Sequence, residues 1–75
     1  MELQFSIVDS HEECTHFLIE DEDAERLNAV GVQNGKLYNL FYDKKADEHF
    51  IVNDDGVSCV DIEILVQVKM LRQHI

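Results

Sequence analysis

The sequence predicts a mainly β fold, a small barrel closed by five short strands. Three observations carry that prediction. The apolar residues near the start alternate with polar ones, as Leu3, Phe5 and Ile7 do with Glu2, Gln4 and Ser6, the period-2 pattern of a strand with one buried face. Two tight-turn signals, Asn34-Gly35 and Asn53-Asp54-Asp55-Gly56, punctuate the middle of the chain with residues that tolerate positive φ. Between and after them lie short β-branched and aromatic runs. Strands this short and this numerous remove their exposed edges by closing on themselves.

Taken in order, residues 2–7 form the first strand and Asp9-Ser10-His11 a turn. Cys14 to Ile19 is the second strand, with Thr15, Phe17 and Ile19 on one side and Cys14, His16 and Leu18 on the other. Glu20-Asp21-Glu22-Asp23 breaks it, because like charges this dense belong in solvent. A short helix is predicted within residues 22–30, mainly Ala24 to Val30. Asp21 or Asp23 is its cap and Gly31 its stop. Leu37 to Tyr42, Phe50 to Val52 and Val57 to Val60 read as strands.

Residues 61–75 are ambiguous. Ile64, Leu65, Val68, Leu71 and Ile75 have helical spacing, with Asp61 as a cap. The alternative is a tight turn at Asp61–Leu65 and then a strand with Val66, Val68 and Met70 in phase. Periodicity alone does not choose between them.

Composition bounds the rest. The chain has 75 residues, room for one small domain. Its 45% apolar content suits a folded globule rather than a disordered acidic chain. Two isolated cysteines, no basic leader and no long apolar run fit a soluble, cytoplasmic protein. The formal charge is −10, from 16 acids against 6 Lys and Arg. Residues 1–25 hold nine acids and no Lys or Arg. Direct binding to nucleic acid or to anionic membrane is disfavoured, since both need cations. A protein partner with a basic surface is favoured.

The stretch Gly35-Lys36-Leu37-Tyr38-Asn39-Leu40, followed by Phe50-Ile51-Val52-Asn53-Asp54-Asp55-Gly56, resembles a pattern in small bacteriophage proteins that are expected to be SH3-like five-stranded barrels. In that pattern a short turn and a closing strand follow. The resemblance spans about residues 27–69. It implies the barrel and a phage origin. It does not imply proline-rich ligands, because the Ala-Leu-Tyr-Asp-Tyr segment and the tryptophan of peptide-binding SH3 domains are absent. Fold does not by itself give function.

Sites for chemistry are sparse. His11-x-x-Cys14-x-His16, with Cys59 or His49 as a fourth ligand, is the one metal-like set, and its spacing matches no standard zinc motif. Its plainer meaning is a small buried cysteine beside solvent-facing histidines. A thiol nucleophile is disfavoured by the acidic surroundings, which raise a thiol pKa. Asp54-Asp55-Gly56 fails as a calcium loop, since Ile62 stands where the bidentate Glu would be. No phosphate loop or nucleophile elbow is present.

The expectation is therefore a chain that is no enzyme and needs no cofactor. It is a protein-interaction module that inhibits or modulates a host protein, acting in the host cytoplasm if phage-encoded. Glu12, Glu13, Glu20, Asp21, Glu22, Asp23 and Glu25 are the partner-binding candidates. They form an anionic stripe for a basic, nucleic-acid-binding site, as in DNA-mimic inhibitors of host defence. The alternatives are self-association through exposed aromatics such as Tyr38 and Tyr42, and a small metal-binding regulator using Cys14, His16 and Cys59.

Overall fold

A computed structural model describes residues 4–74. Glu2 and Leu3 of the expected first strand, and Ile75 of the C-terminal apolar set, lie outside the described residues. The element order is β1 (Gln4–Ile7), β2 (His16–Ile19), α1 (Ala24–Val30), β3 (Leu37–Asn39), β4 (Phe41–Asp43), β5 (Glu48–Val52), β6 (Ser58–Val60), α2 (Ile62–Leu65) and β7 (Val68–His74). The fold is mainly β, as the alternation and turn signals predict.

The strands do not form one closed five-stranded barrel. Among the described residues seven strands make two sheets, one ordered β1-β7-β2-β3 and the other β4-β5-β6. All pairings are antiparallel. The expected strand Leu37 to Tyr42 divides at Leu40. Its N–H donates to the Thr15 carbonyl at 3.0 Å, in register with the β2–β3 ladder, and this is the last bond on that side. Residues before Leu40 pair with β2, and residues after it pair with β5. One run thus feeds both sheets, the usual way two packed sheets share a corner.

Residues 61–74 adopt the turn-and-strand alternative. Helix α2 is a single turn, and Val66 N–H closes it on the Ile62 carbonyl at 3.0 Å. Asp61 stands at its N-cap position without capping it. Its backbone is left-handed, φ 56°, and its side chain makes no cap hydrogen bond. The following residues become the strand between β1 and β2, where Gln4 pairs with His74 and His16 with Leu71. Burial on two flanks favours a strand over an isolated terminal helix, because the strand satisfies its backbone groups on both sides.

Helix α1 follows the predicted caps. The Asp23 side chain accepts from Arg26 N–H at 3.2 Å. Gly31, at φ 82°, ends the helix in the left-handed region and donates to the Leu27 carbonyl at 2.8 Å. A side chain at Gly31 would also meet the Asn53 carboxamide, 2.7 Å from the position of a Cβ. That carboxamide donates to the Val30 carbonyl at 2.8 Å, so the end of α1 is tied to the β5–β6 turn.

The core lies between the sheets and is closed by the helices. Phe17 and Ile19 of β2, Ile51 of β5 and Ile62 of α2 are its largest fully buried side chains. Each contributes roughly 1.5–3 kcal/mol by leaving water. Cys14, Leu27, Val32, Tyr38 and Val66 complete the cluster. Phe17 and Ile19 share one of the two faces read for the second strand, both of which carry apolar residues, and the structure buries that one. Tyr38, expected to be exposed, is 5% exposed. Its hydroxyl donates to Asp54 at 3.1 Å and accepts from Gln33 N–H at 3.0 Å. Burial and the Asp54 carboxylate raise its pKa above the usual phenol value. Among the described residues no helix is long and apolar enough to cross a membrane.

Candidate functional site

The acidic segment does not act as one surface. Asp21 is buried, 4% exposed. One carboxylate oxygen accepts from Asp23 N–H at 2.9 Å, and the other from Gln67 N–H at 3.0 Å and Arg26 Nη1 at 3.3 Å. The two backbone donors, with Arg26, hold its pKa below the usual carboxylate range. Asp21 is therefore removed from the partner-binding set on geometric grounds, since its carboxylate faces the protein and joins the turn after β2 to the approach of β7.

Its neighbours divide the remaining work. Asp23 caps α1 and pairs with Arg26 at 3.3 Å. Glu20 pairs with Lys69 at 3.0 Å. Glu22 and Glu25 are exposed and make no ion pair among the described residues. Glu20 to Asp23 line an open depression with Arg26, Asn34 and Gln67.

Glu12 and Glu13 precede β2, whereas Glu20 to Glu25 follow it. The four residues of β2 span roughly 13 Å, so the expected stripe is split between the two ends of that strand. Both Glu12 and Glu13 are exposed and without an ion pair among the described residues.

Glu12 lies at a second groove that the sequence reading missed. This groove runs between the turn after β1 and the β4–β5 hairpin, and His11, Glu12, Tyr42, Asp47 and His49 contribute to its lining. Hairpin register places Tyr42 opposite His49. Their ring centroids are 4.8 Å apart, and His49 stacks on His11 at 4.9 Å with an interplanar angle of 26°. His11 Nε2 bonds Glu63 of α2 at 3.0 Å, which fixes its ring against the core beside Phe17. The Tyr42 hydroxyl donates to Asp47. That bond raises the phenol pKa and keeps the ring neutral. The signal available in sequence was the hairpin itself: counting outward from the 44–47 loop brings residue 42 to residue 49.

The metal-like set is dispersed. Cys14 is buried and donates its thiol to the His16 carbonyl at 3.1 Å. Burial raises its pKa, despite backbone hydrogen bonds that act the other way. His16 packs edge-on against Phe5 and bonds Thr15 Oγ1. Cys59 stands on β6, its thiol directed at the Val57 carbonyl. Both cysteines are free. Among the described residues no three His, Cys, Asp or Glu side chains are grouped to hold a metal ion.

Comparison of the chain with protein-family models, with curated proteins and with solved structures found no match.

Proposed function

We propose that this chain is a non-catalytic protein-interaction module of the kind phages encode to inhibit or modulate a host protein in the cytoplasm. It acts through exposed carboxylates on a basic partner surface, such as the nucleic-acid-binding site of a host enzyme or defence complex. One observation carries the reading. Arg26, Lys36 and Lys69 are engaged by internal carboxylates, while Glu12, Glu13, Glu22 and Glu25 stay exposed and without ion pairs among the described residues. Lys44, Lys45 and Arg72 make no ion pair among the described residues, but 16 acids against 6 Lys and Arg leave the outward field negative, and charge of that kind steers encounter with a basic surface. The likeness to small SH3-like phage proteins belongs to the same proposal. What supports it is the run Leu37–Asp43 that feeds both sheets, and the short turn α2 before a closing strand.

A second reading, self-association, is supported by the outer face of β4-β5-β6. There Phe41 and Phe50 stack at 5.4 Å, beside exposed Val52 and Val60. Tyr38 leaves this reading because it is buried.

Both are tested with one tagged preparation, used for capture from a bacterial lysate over rising salt and for sedimentation. The expected result is a monomer that retains a nucleic-acid enzyme or defence complex and releases it with salt. A folded variant carrying E12K, E13K, E22K and E25K loses that capture. If the variant captures the same partner equally well, the carboxylates are not the binding surface. A stable homo-oligomer at micromolar concentration moves the conclusion to self-association.

A further inference from the structure

The depression at Glu20 to Asp23 is lined by groups that hold the fold, Asp21 and Arg26 among them, already bonded to one another. The outer apolar face of β4-β5-β6 has nothing on it that names an occupant. The groove at Tyr42 and His49 differs, because it joins flat ring surfaces to carboxylates that are not internally neutralised.

Tyr42 is 48% exposed, so its ring is open to a visitor. Asp47 accepts the Tyr42 hydroxyl on Oδ1 alone, which leaves Oδ2 without a partner among the described residues. Glu12 has no internal cation. The groove encloses about 490 Å³, within the range of roughly 300–1,000 Å³ that small ligands occupy. It is open at the top, which suits a side chain projecting from a larger surface better than an enclosed small molecule.

We infer that this groove receives an arginine side chain of the basic partner, its guanidinium stacked on the exposed Tyr42 ring and paired with Glu12 and Asp47. The inference rests on the acidic-surface reading and gives it a specific anchor. A planar guanidinium matches both elements at once. It stacks on aromatic faces and it offers parallel N–H groups to carboxylates. A lysine ammonium gains the charge attraction but not the planar stacking or the fork. The positions of the rings are set in advance, by the hairpin register for Tyr42 and His49 and by Glu63 for His11, so little ordering is required on binding.

The test uses fluorescent nona-arginine and nona-lysine peptides, titrated by anisotropy at low salt into the full chain and into Tyr42→Ala and Glu12→Gln. Both substituted side chains are exposed, and circular dichroism checks that the fold is kept. The arginine peptide is expected to bind about fivefold more tightly than the lysine peptide. Tyr42→Ala should erase that preference, and Glu12→Gln should weaken the arginine peptide more than the lysine one. Equal binding of the two peptides by the parent chain overturns the groove proposal and leaves the acidic surface standing. So does a preference that survives Tyr42→Ala. Failure of both peptides to bind the parent chain overturns the acidic-surface reading and the groove with it.

Discussion

In the turn Asn53–Gly56 two of the three polar side chains, Asn53 and Asp54, bond the protein itself through several contacts each, whereas the segment Glu20–Glu25 mixes internally bonded carboxylates with outward ones. Asn53 Oδ1 accepts from Asp55 N–H and Val57 N–H at 3.0 and 2.9 Å, and its Nδ2 ties the turn to α1. Asp54 accepts from Lys36, Gln33 and Tyr38. In the other segment Asp21 and Asp23 make internal bonds, Glu20 reaches Lys69, and Glu22 and Glu25 carry charge outward. A run of acids is therefore not one object. Where the backbone presents amides, a short Asp side chain closes on them. Where it does not, the charge remains for an encounter.

The sharpest way to break this comparison is to remove Asp21. Asp21→Ala leaves the part-buried amides of Asp23 and Gln67 without their acceptor and Arg26 without one partner. Thermal melting should show a Tm lower by roughly 10 °C. Glu22→Ala, one residue away, should leave Tm within about 2 °C. Equal effects at the two positions would erase the distinction. A smaller loss is expected for Asn53→Ala, a Tm lower by roughly 5 °C, because the turn loses three hydrogen bonds but lies nearer to water.

The smallest effect is on pH dependence. Asp21 and Asp54 both titrate below the usual carboxylate value, Asp54 through Lys36 and Gln33 first. With the folded value depressed, the unfolded chain binds more protons in that window. The stability these groups contribute is then fully present above about pH 4 and is lost as pH falls toward their folded values. Melting between pH 6 and pH 2 should show the parent chain weakening below about pH 4. A variant with D21N and D54N should be weaker at neutral pH and flatter toward acid. An unchanged slope in that variant would mean other carboxylates govern the acid limb.

Much of the local structure could be read from the chain. The two Asn-containing turns and the caps of α1 depend on neighbours within a few residues. What escaped depends on distance or on competing periods. Ile64, Leu65, Val68 and Leu71 fit a helix as well as Val66, Val68 and Met70 fit a strand. The choice is made by β1 and β2, which flank β7 from far upstream. The division at Leu40 comes from a change of partner, β2 before it and β5 after it, that no pattern in the run announces. At the candidate site, the outward Glu12, Glu13, Glu22 and Glu25 were visible as charge. The burial of Asp21 was not, since an acid amid acids looks solvated until Gln67 and Arg26 are brought to it. The ring groove draws on the turn after β1, β4, its hairpin loop and β5, and only the Tyr42–His49 register was within reach of counting.

The placement of β7 between β1 and β2 also sets an order of events. The β4–β5 pairing begins at Asp43 and Glu48, a loop that closes cheaply. The larger sheet instead requires His74 to find Gln4 and Leu71 to find His16. Searches across such separations slow folding, because chain entropy is lost before the long-range pairing returns any stabilisation. Formation of the smaller sheet is thus a local event, and the larger one awaits closure across most of the chain. The Asp21–Gln67 bond spans the same divide, so the clamp that seats the acidic segment belongs to the late phase of assembly.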